Sequence, residues 1–272
     1  MLKLSLIKMN IKEFALSIMP KKKKKRSMKT VQKRVGQMLK LREGYIIRLR
    51  NGEMYRIVLQ KGNSKTGKTV YTVSLIPVAD CPNCEGCRLD CYDIHNVCFQ
   101  PAVQNDRARN SALHLLFPEI FWQQVYEECI RLGVEELRIN VGGDLADTDF
   151  FFVDQLKKKL PNTDIIFFTK NHSGCNAYLD EKERETGSDK FEDGIHPLLS
   201  GFEGMTLDNP HHLPESHILY ADGTTTASET RLKHAYFCSG NCSECKAENK
   251  GCSSFKQANC DEDVQSVVLS YH

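Results

Sequence analysis

Two groups of cysteines are the residues of this chain whose type and spacing could do chemistry. The first is Cys81, Cys84, Cys87 and Cys91, four cysteines within eleven residues. Cys-x2-Cys turns bring neighbouring sulfurs together without long-range folding, and converging thiolates bind zinc or an iron–sulfur cluster. The spacing Cys-x2-Cys-x2-Cys-x3-Cys matches the bacterial ferredoxin run, although Tyr92 stands where that run has proline. The second group is Cys238, Cys242, Cys245 and Cys252, with Cys260 beyond it and Gly240 and Gly251 at its turns. Four-cysteine sites alone do not decide between zinc and iron–sulfur. A disulfide framework ranks last, because it needs an oxidising compartment.

That compartment is not expected here. Met1–Met19 is interrupted by Lys3, Lys8, Lys12 and Glu13 and runs into Pro20 and the basic run Lys21 to Arg26. It therefore supplies neither the core of a cleavable signal nor the ~20 apolar residues of a membrane span. The expectation is a weakly amphipathic helix, then a disordered basic linker, on a cytoplasmic protein with twelve thiols in a reducing environment and no membrane contact.

At 272 residues, 40% hydrophobic and 26% charged, the chain can build a sizeable core. Its net charge of +2 hides an imbalance: residues 1–50 hold 16 Lys or Arg against 2 acids, leaving −12 elsewhere by subtraction. Lys21 to Arg26 could give weak, salt-sensitive contact with nucleic acid, but no interleaved aromatics offer a stacking surface. Residues 1–44 are read as a basic, partly disordered extension and 45–272 as a single α/β domain.

The elements that position the cysteines read as follows. Tyr45 to Arg50 and Met54 to Leu59 flank Asn51-Gly52, the signature of a hairpin. Gly62 to Thr69 fits the phosphate-loop pattern Gly-x4-Gly-Lys-Thr, yet Val70 to Ile76 reads as a strand where a phosphate loop needs a helix, so the loop is expected to join two strands. His95 and Cys98 are candidate extra ligands but more ordinary as packing, and a helix is expected to begin around Arg107, Arg109 and Asn110. Pro118 to Leu132 has helical periodicity and stops at Gly133, with Cys129 an inert buried thiol. Then come a strand at Glu136 to Val141, a helix from Asp149 to Leu160 and a strand at Asp164 to Lys170. Residues 171–195, with His172 and Cys175 at their start, read as a long loop or short exposed helix. Short strands follow at Pro197 to Ser200 and His217 to Ala221, and the second cysteine group follows the last strand, so both groups could meet at one face.

This order predicts an α/β fold, an incomplete (β/α) barrel or an open parallel sheet with cysteine-rich metal-binding loops. In such sheets chemistry gathers at the carboxyl ends of the strands. Gly142, Gly143 and Asp144 sit at one such end and Lys170 at the next. Asp144 could hold a cofactor amine, and Lys170 could bind an anion or act as an acid.

The set formed by Gly62 to Gly67, Thr72 to Ile76, Cys81 to Tyr92, Arg138 to Asp144, Phe168 to Lys170, Leu199 to Gly204 and Cys238 to Cys242 resembles the gene product 88 family of phage and mobile-element proteins, over residues 60 to 255. The resemblance implies no known reaction. More distantly, a cysteine loop after one strand and Gly-Gly-Asp after the next resemble the radical S-adenosylmethionine enzymes. Those use Cys-x3-Cys-x2-Cys in that loop, a spacing found here only at Cys238, Cys242 and Cys245. By resemblance, three ligands would leave one iron open to the cofactor's amino and carboxyl groups, whereas a fourth would close it.

Two functions follow as expectations. One is an iron–sulfur enzyme of radical S-adenosylmethionine-like type acting on an unknown substrate, with Gly142, Gly143 and Asp144 binding cofactor and Lys170 catalytic. The alternative is a zinc-stabilised binding protein whose basic N-terminus contacts nucleic acid. The ferredoxin-like spacing and the strand-end glycines favour the first.

Overall fold

The computed structural model describes residues 27–62, 70–98, 100–220, 223–240, 242–248 and 250–270. The basic run Lys21 to Arg26 and most of the phosphate-loop-like segment lie outside them.

One eight-stranded sheet organises the chain. Its strands are β1 (Gln60–Lys61), β2 (Val70–Val73), β3 (Glu136–Ile139), β4 (Asp164–Thr169), β5 (Ile195–Ser200), β6 (Glu215–Leu219), β7 (Ala235–Phe237) and β8 (Ser266–Ser270), in the spatial order β1-β2-β3-β4-β5-β6-β8-β7. β1 pairs antiparallel with β2, so the loop between them does join two strands, and every other pairing is parallel. The protein is thus α/β with a mixed, mostly parallel, open sheet.

From β2 to β6 the strands lie in chain order, so right-handed crossovers put the connecting helices on one face. These helices are α3 (Pro101–Leu116), α4 (Pro118–Leu132), α5 (Asp149–Lys159) and α6 (His172–Thr186). They follow α1 (Met28–Arg50) and α2 (Tyr92–Asn96). Strand periodicity sorts the side chains: Leu137, Ile139, Ile165, Phe167, Ile195 and Leu199 join the main core with Phe121, Val125, Phe150 and Leu179. Ile166, Leu198 and Val267 point to the opposite face and meet Phe255.

Six expectations change. Tyr45 to Arg50 is helical, the end of α1, because Val31, Met38, Ile46 and Leu49 form a stripe at helical spacing that buries against the body. Residues 28–44, ahead of the boundary expected at Tyr45, are the earlier turns of the same helix, and Val31 and Met38 pack with Ile76, Ile94, Cys98 and Ala108. Asn51-Gly52 ends this helix instead of turning a hairpin. Gly52 has φ +84°, its N–H donates to Leu49 O and that of Glu53 to Arg48 O, both at 3.0 Å, a Schellman cap.

Met54 to Leu59 forms no strand, and side-chain amides bond its backbone in place of a ladder neighbour. Ile57 N–H donates to Gln124 Oε1 and Val58 N–H to Asn110 Oδ1, both at 2.8 Å, while the two amide nitrogens return bonds to Tyr55 O and Val58 O.

Residues 172–186, read as a loop or a short exposed helix, form a fifteen-residue helix. Its buried stripe is His172, Cys175, Asn176, Leu179 and Lys182, mostly polar residues whose periodicity a hydrophobicity pattern does not register. Lys182 pairs at 2.8 Å with buried Asp154 of α5.

Finally, the second cysteine group does not follow the last strand. It lies between β7 and β8, and β8 returns to insert between β6 and β7. No helix among the described residues is long and apolar enough to cross a membrane.

Candidate metal centre

The first cysteine loop leaves the carboxyl end of β2 and returns through α2. Its turns are local: Cys87 N–H and Arg88 N–H both donate to Cys84 O. Two of its sulfurs accept backbone donors. Val78 N–H lies 3.3 Å from Cys81 Sγ, from a β-branched residue held at φ +71°, where the left-handed conformation is strained. Cys91 stands at the head of α2 and its sulfur accepts from the amides of Ile94 and Asp93.

The loop then crosses the strand ends. Asp144 N–H, beyond β3, donates to Asp80 O at 2.9 Å, and Asn83 Nδ2 donates to Lys170 O, beyond β4, at 3.2 Å. Gly86 packs against Phe202, Glu203 and Met205, beyond β5. Cysteines and strand-end residues thus share one end of the sheet, as expected of a parallel α/β protein.

Asp144 is the electrostatic hub there. Its carboxylate accepts Leu145 N–H and Lys170 N–H, both at 2.8 Å, and the Thr169 hydroxyl. Burial raises its pKa against the opposing pull of the Lys170 ammonium and these donors. The Lys170 charge also acts on Cys87, whose thiol burial nevertheless pushes up. His172, lowered by burial, has Nε2 3.2 Å from Ser200 O.

Gly142 and Gly143 have steric reasons to be glycine. A Cβ at Gly142 would run into the Arg107 guanidinium and the Asp93 carboxylate; one at Gly143, whose φ is +84°, would lie 2.8 Å from Leu75 Cβ. Gly142 O accepts from Leu75 N–H at 2.8 Å, so the ends of β2 and β3 are locked together.

The second group begins at Cys238, just after β7. Cys242 opens α7 (Cys242–Ala247), Cys245 lies within it and Cys252 opens a 3-10 turn. Cys238 and Cys252 pack against the sheet face carrying Ile166, Leu198 and Val267. The first group interacts instead with Asp144 and Lys170, and the second with Arg138, so the two are served by different charged side chains.

All twelve cysteines are free. Within each group the sulfurs lie close enough to feel one another's charge, yet among the described residues no three His, Cys, Asp or Glu side chains already stand at positions that would hold an ion. Burial raises Cys81 well above its ordinary value, Cys91 to about 11 and Cys252 to about 12, and also lifts Cys87 and Cys238. Loading either group must therefore draw sulfurs together and release protons. Two free four-thiol sets are chemically suited to a thiophilic ion or cluster, though not preformed for one. The remaining cysteines lie outside both sets: Cys98 donates to Asp93 at 3.0 Å, Cys129 and Cys175 are buried, and Cys260 is exposed. His95 Nε2 lies 2.8 Å from Leu89 O and is engaged within the loop.

In comparisons with family models, with curated proteins and with solved structures, nothing matches this chain.

Sequence reasoning passed over Arg107, Asp93, Arg138 and Tyr236. Only Arg138 carried a legible signal, a charge between Leu137 and Ile139 in a strand expected to be covered on both faces.

Proposed function

We propose that this chain is an iron–sulfur enzyme of radical S-adenosylmethionine-like type, with cluster ligands drawn from Cys81, Cys84, Cys87 and Cys91. The observation carrying this reading is the path of the cysteine loop across the carboxyl ends of β2 to β5, where it meets Asp144 and Lys170. The chain-order run of parallel strands, with helices on one face, is also what an incomplete (β/α) barrel requires.

A reduced cluster there would supply one electron to a bound sulfonium cofactor. The chain's own residues would do the rest. The Lys170 ammonium, next to Cys87 and Asp144, supplies positive charge for an anionic group of cofactor or substrate. The Asp144 carboxylate, oriented by two backbone donors, keeps acceptor capacity for an ammonium.

The test is purification without oxygen, followed by iron, sulfide and zinc analysis and a visible spectrum. Bound iron and sulfide with broad thiolate-to-iron absorption, lost on Cys81→Ser, would lead to an assay for S-adenosylmethionine cleavage. A colourless protein with stoichiometric zinc and no iron after reconstitution sinks the enzyme reading.

That outcome would favour the second reading, a zinc-stabilised binding protein that contacts nucleic acid. One observation supports it: Lys29, Lys33 and Lys40 lie exposed along α1, directly following the basic run in sequence.

A further inference from the structure

We propose that Arg138 is the counter-charge of a second metal centre, formed by Cys238, Cys242, Cys245 and Cys252 and separate from the strand-end site. The proposal rests on the reading that the cysteines of this chain bind metal.

Arg138 lies on the sheet face away from the connecting helices. Its strand neighbours Leu137 and Ile139 face the helices, so it points to the other face, its guanidinium 5.9 Å from the centre of the Phe168 ring of β4. On that face Ile166 of β4 stands opposite it on one side and Thr72 of β2 on the other, with Glu136 two residues earlier on its own strand. Among the described residues no carboxylate forms an ion pair with it. A half-buried cation without an ion pair is stabilised by an anion brought beside it.

The cysteines can supply one. Arg138 Nη1 lies 3.7 Å from Cys242 Sγ, and its charge also acts on Cys238 and Cys252. Two further donors face the group: Tyr236 Oη is 3.0 Å from Cys245 Sγ, and Gly240 N–H is 3.3 Å from Cys238 Sγ. Three of the four sulfurs thus face a donor, each from a different segment. Thiolates want such donors far more than thiols do. Four thiolates around one divalent ion carry a net charge of minus two, which a partly buried site tolerates only with compensating cations and hydrogen bonds. Arg138 and Tyr236 are positioning residues, acting on the metal through the sulfurs.

The ligand class is a thiophilic cation held by four thiolates. Cobalt is the probe, since tetrahedral cobalt–thiolate coordination is coloured. Full-length protein, stripped of metal anaerobically, is titrated with cobalt against a competing chelator, and Cys242→Ser identifies which absorption belongs to the second group. Arg138→Gln is expected to weaken that component about 10- to 100-fold. Arg138→Lys is expected to restore most of it, with metal-free melting temperatures close to wild type for both variants.

Unchanged affinity in Arg138→Gln overturns the assignment. Equal losses in both variants, together with lowered metal-free melting temperatures, overturn it too by assigning Arg138 to packing alone. If the wild type shows no component sensitive to Cys242→Ser, the metal reading of this group fails and the role of Arg138 fails with it.

Discussion

Arg107 Nη2 lies 2.7 Å from Asp93 Oδ1, and both side chains are almost entirely buried, at 1% and 3% exposure. Arg107 Nη1 also donates to Leu75 O at 3.3 Å, and Cys98 Sγ donates to the other Asp93 oxygen. Leu75 precedes the first cysteine loop and Asp93 follows it, so one guanidinium clamps both stems.

Removing one partner should expose the cost of the other. Asp93→Ala leaves an unpaired buried guanidinium and is expected to destabilise the fold by about 3–5 kcal/mol. Urea denaturation of metal-free protein measures this, and a loss below about 1 kcal/mol would refute the clamp. Arg107→Met combined with Asp93→Leu should recover much of the loss, because an apolar replacement removes both desolvated charges together.

The glycines beside this pair give a second prediction. Gly142→Ala pushes a methyl into Arg107 and Asp93, and Gly143→Ala combines φ +84° with a contact of 2.8 Å to Leu75. Each is expected to destabilise by about 1–3 kcal/mol. Gly36, helical in α1 with nothing near its missing Cβ, is the control. Gly36→Ala should stabilise by about 0.5–1 kcal/mol through helix propensity. Equal effects at all three positions in thermal unfolding would contradict the packing account.

These positions also show what sequence alone makes legible. The cysteine loop and the strand-end glycines could be read because both are local patterns: thiol spacing on one side, apolar alternation from Leu137 to Val141 ending in Gly-Gly on the other. The Arg107–Asp93 clamp could not, since it joins residues whose proximity exists only once α3 packs behind the loop. Asn51-Gly52 misled because a left-handed glycine serves a helix cap as well as a hairpin, and the choice lies in the burial of Ile46 and Leu49. For α6, the buried stripe uses a lysine stem and a histidine whose ring meets Ser200 O, so its amphipathicity was invisible to hydrophobic periodicity.

Acid should unlock the far side of the sheet. Burial raises the Glu215 pKa, but hydrogen bonds from His217, Arg231 and Asn209 outweigh it and bring it to about 2. The His217 and Arg231 nitrogens lie 2.9 and 2.8 Å from its Oε2. The folded-state value is below the unfolded one of about 4.3. The stabilisation is therefore fully present above the unfolded value and is lost as pH falls toward about 2. Stability curves from pH 7 downward should fall more gently in Glu215→Gln, which starts less stable at neutral pH. Parallel curves would remove Glu215 from the acid response.

Asp144 and Lys170 separate the frame of the site from its chemistry. Asp144 Oδ1 accepts Leu145 N–H and Oδ2 accepts Lys170 N–H, so an asparagine can serve only one of them and must turn an NH2 toward the other. Asp144→Asn is therefore expected to cost about 1–3 kcal/mol of stability before any ligand is considered. Lys170 contributes to this frame through its backbone N–H, while its ammonium offsets the burial of the Asp144 carboxylate. Lys170→Met keeps the backbone bond and loses the charge, and should cost about 1 kcal/mol of urea stability, less than Asp144→Asn. It should keep the iron content and weaken S-adenosylmethionine binding, measured by calorimetry on reconstituted protein. If Lys170→Met loses iron as well, its charge is needed to assemble the thiolates of the first group, and the division between frame and chemistry falls.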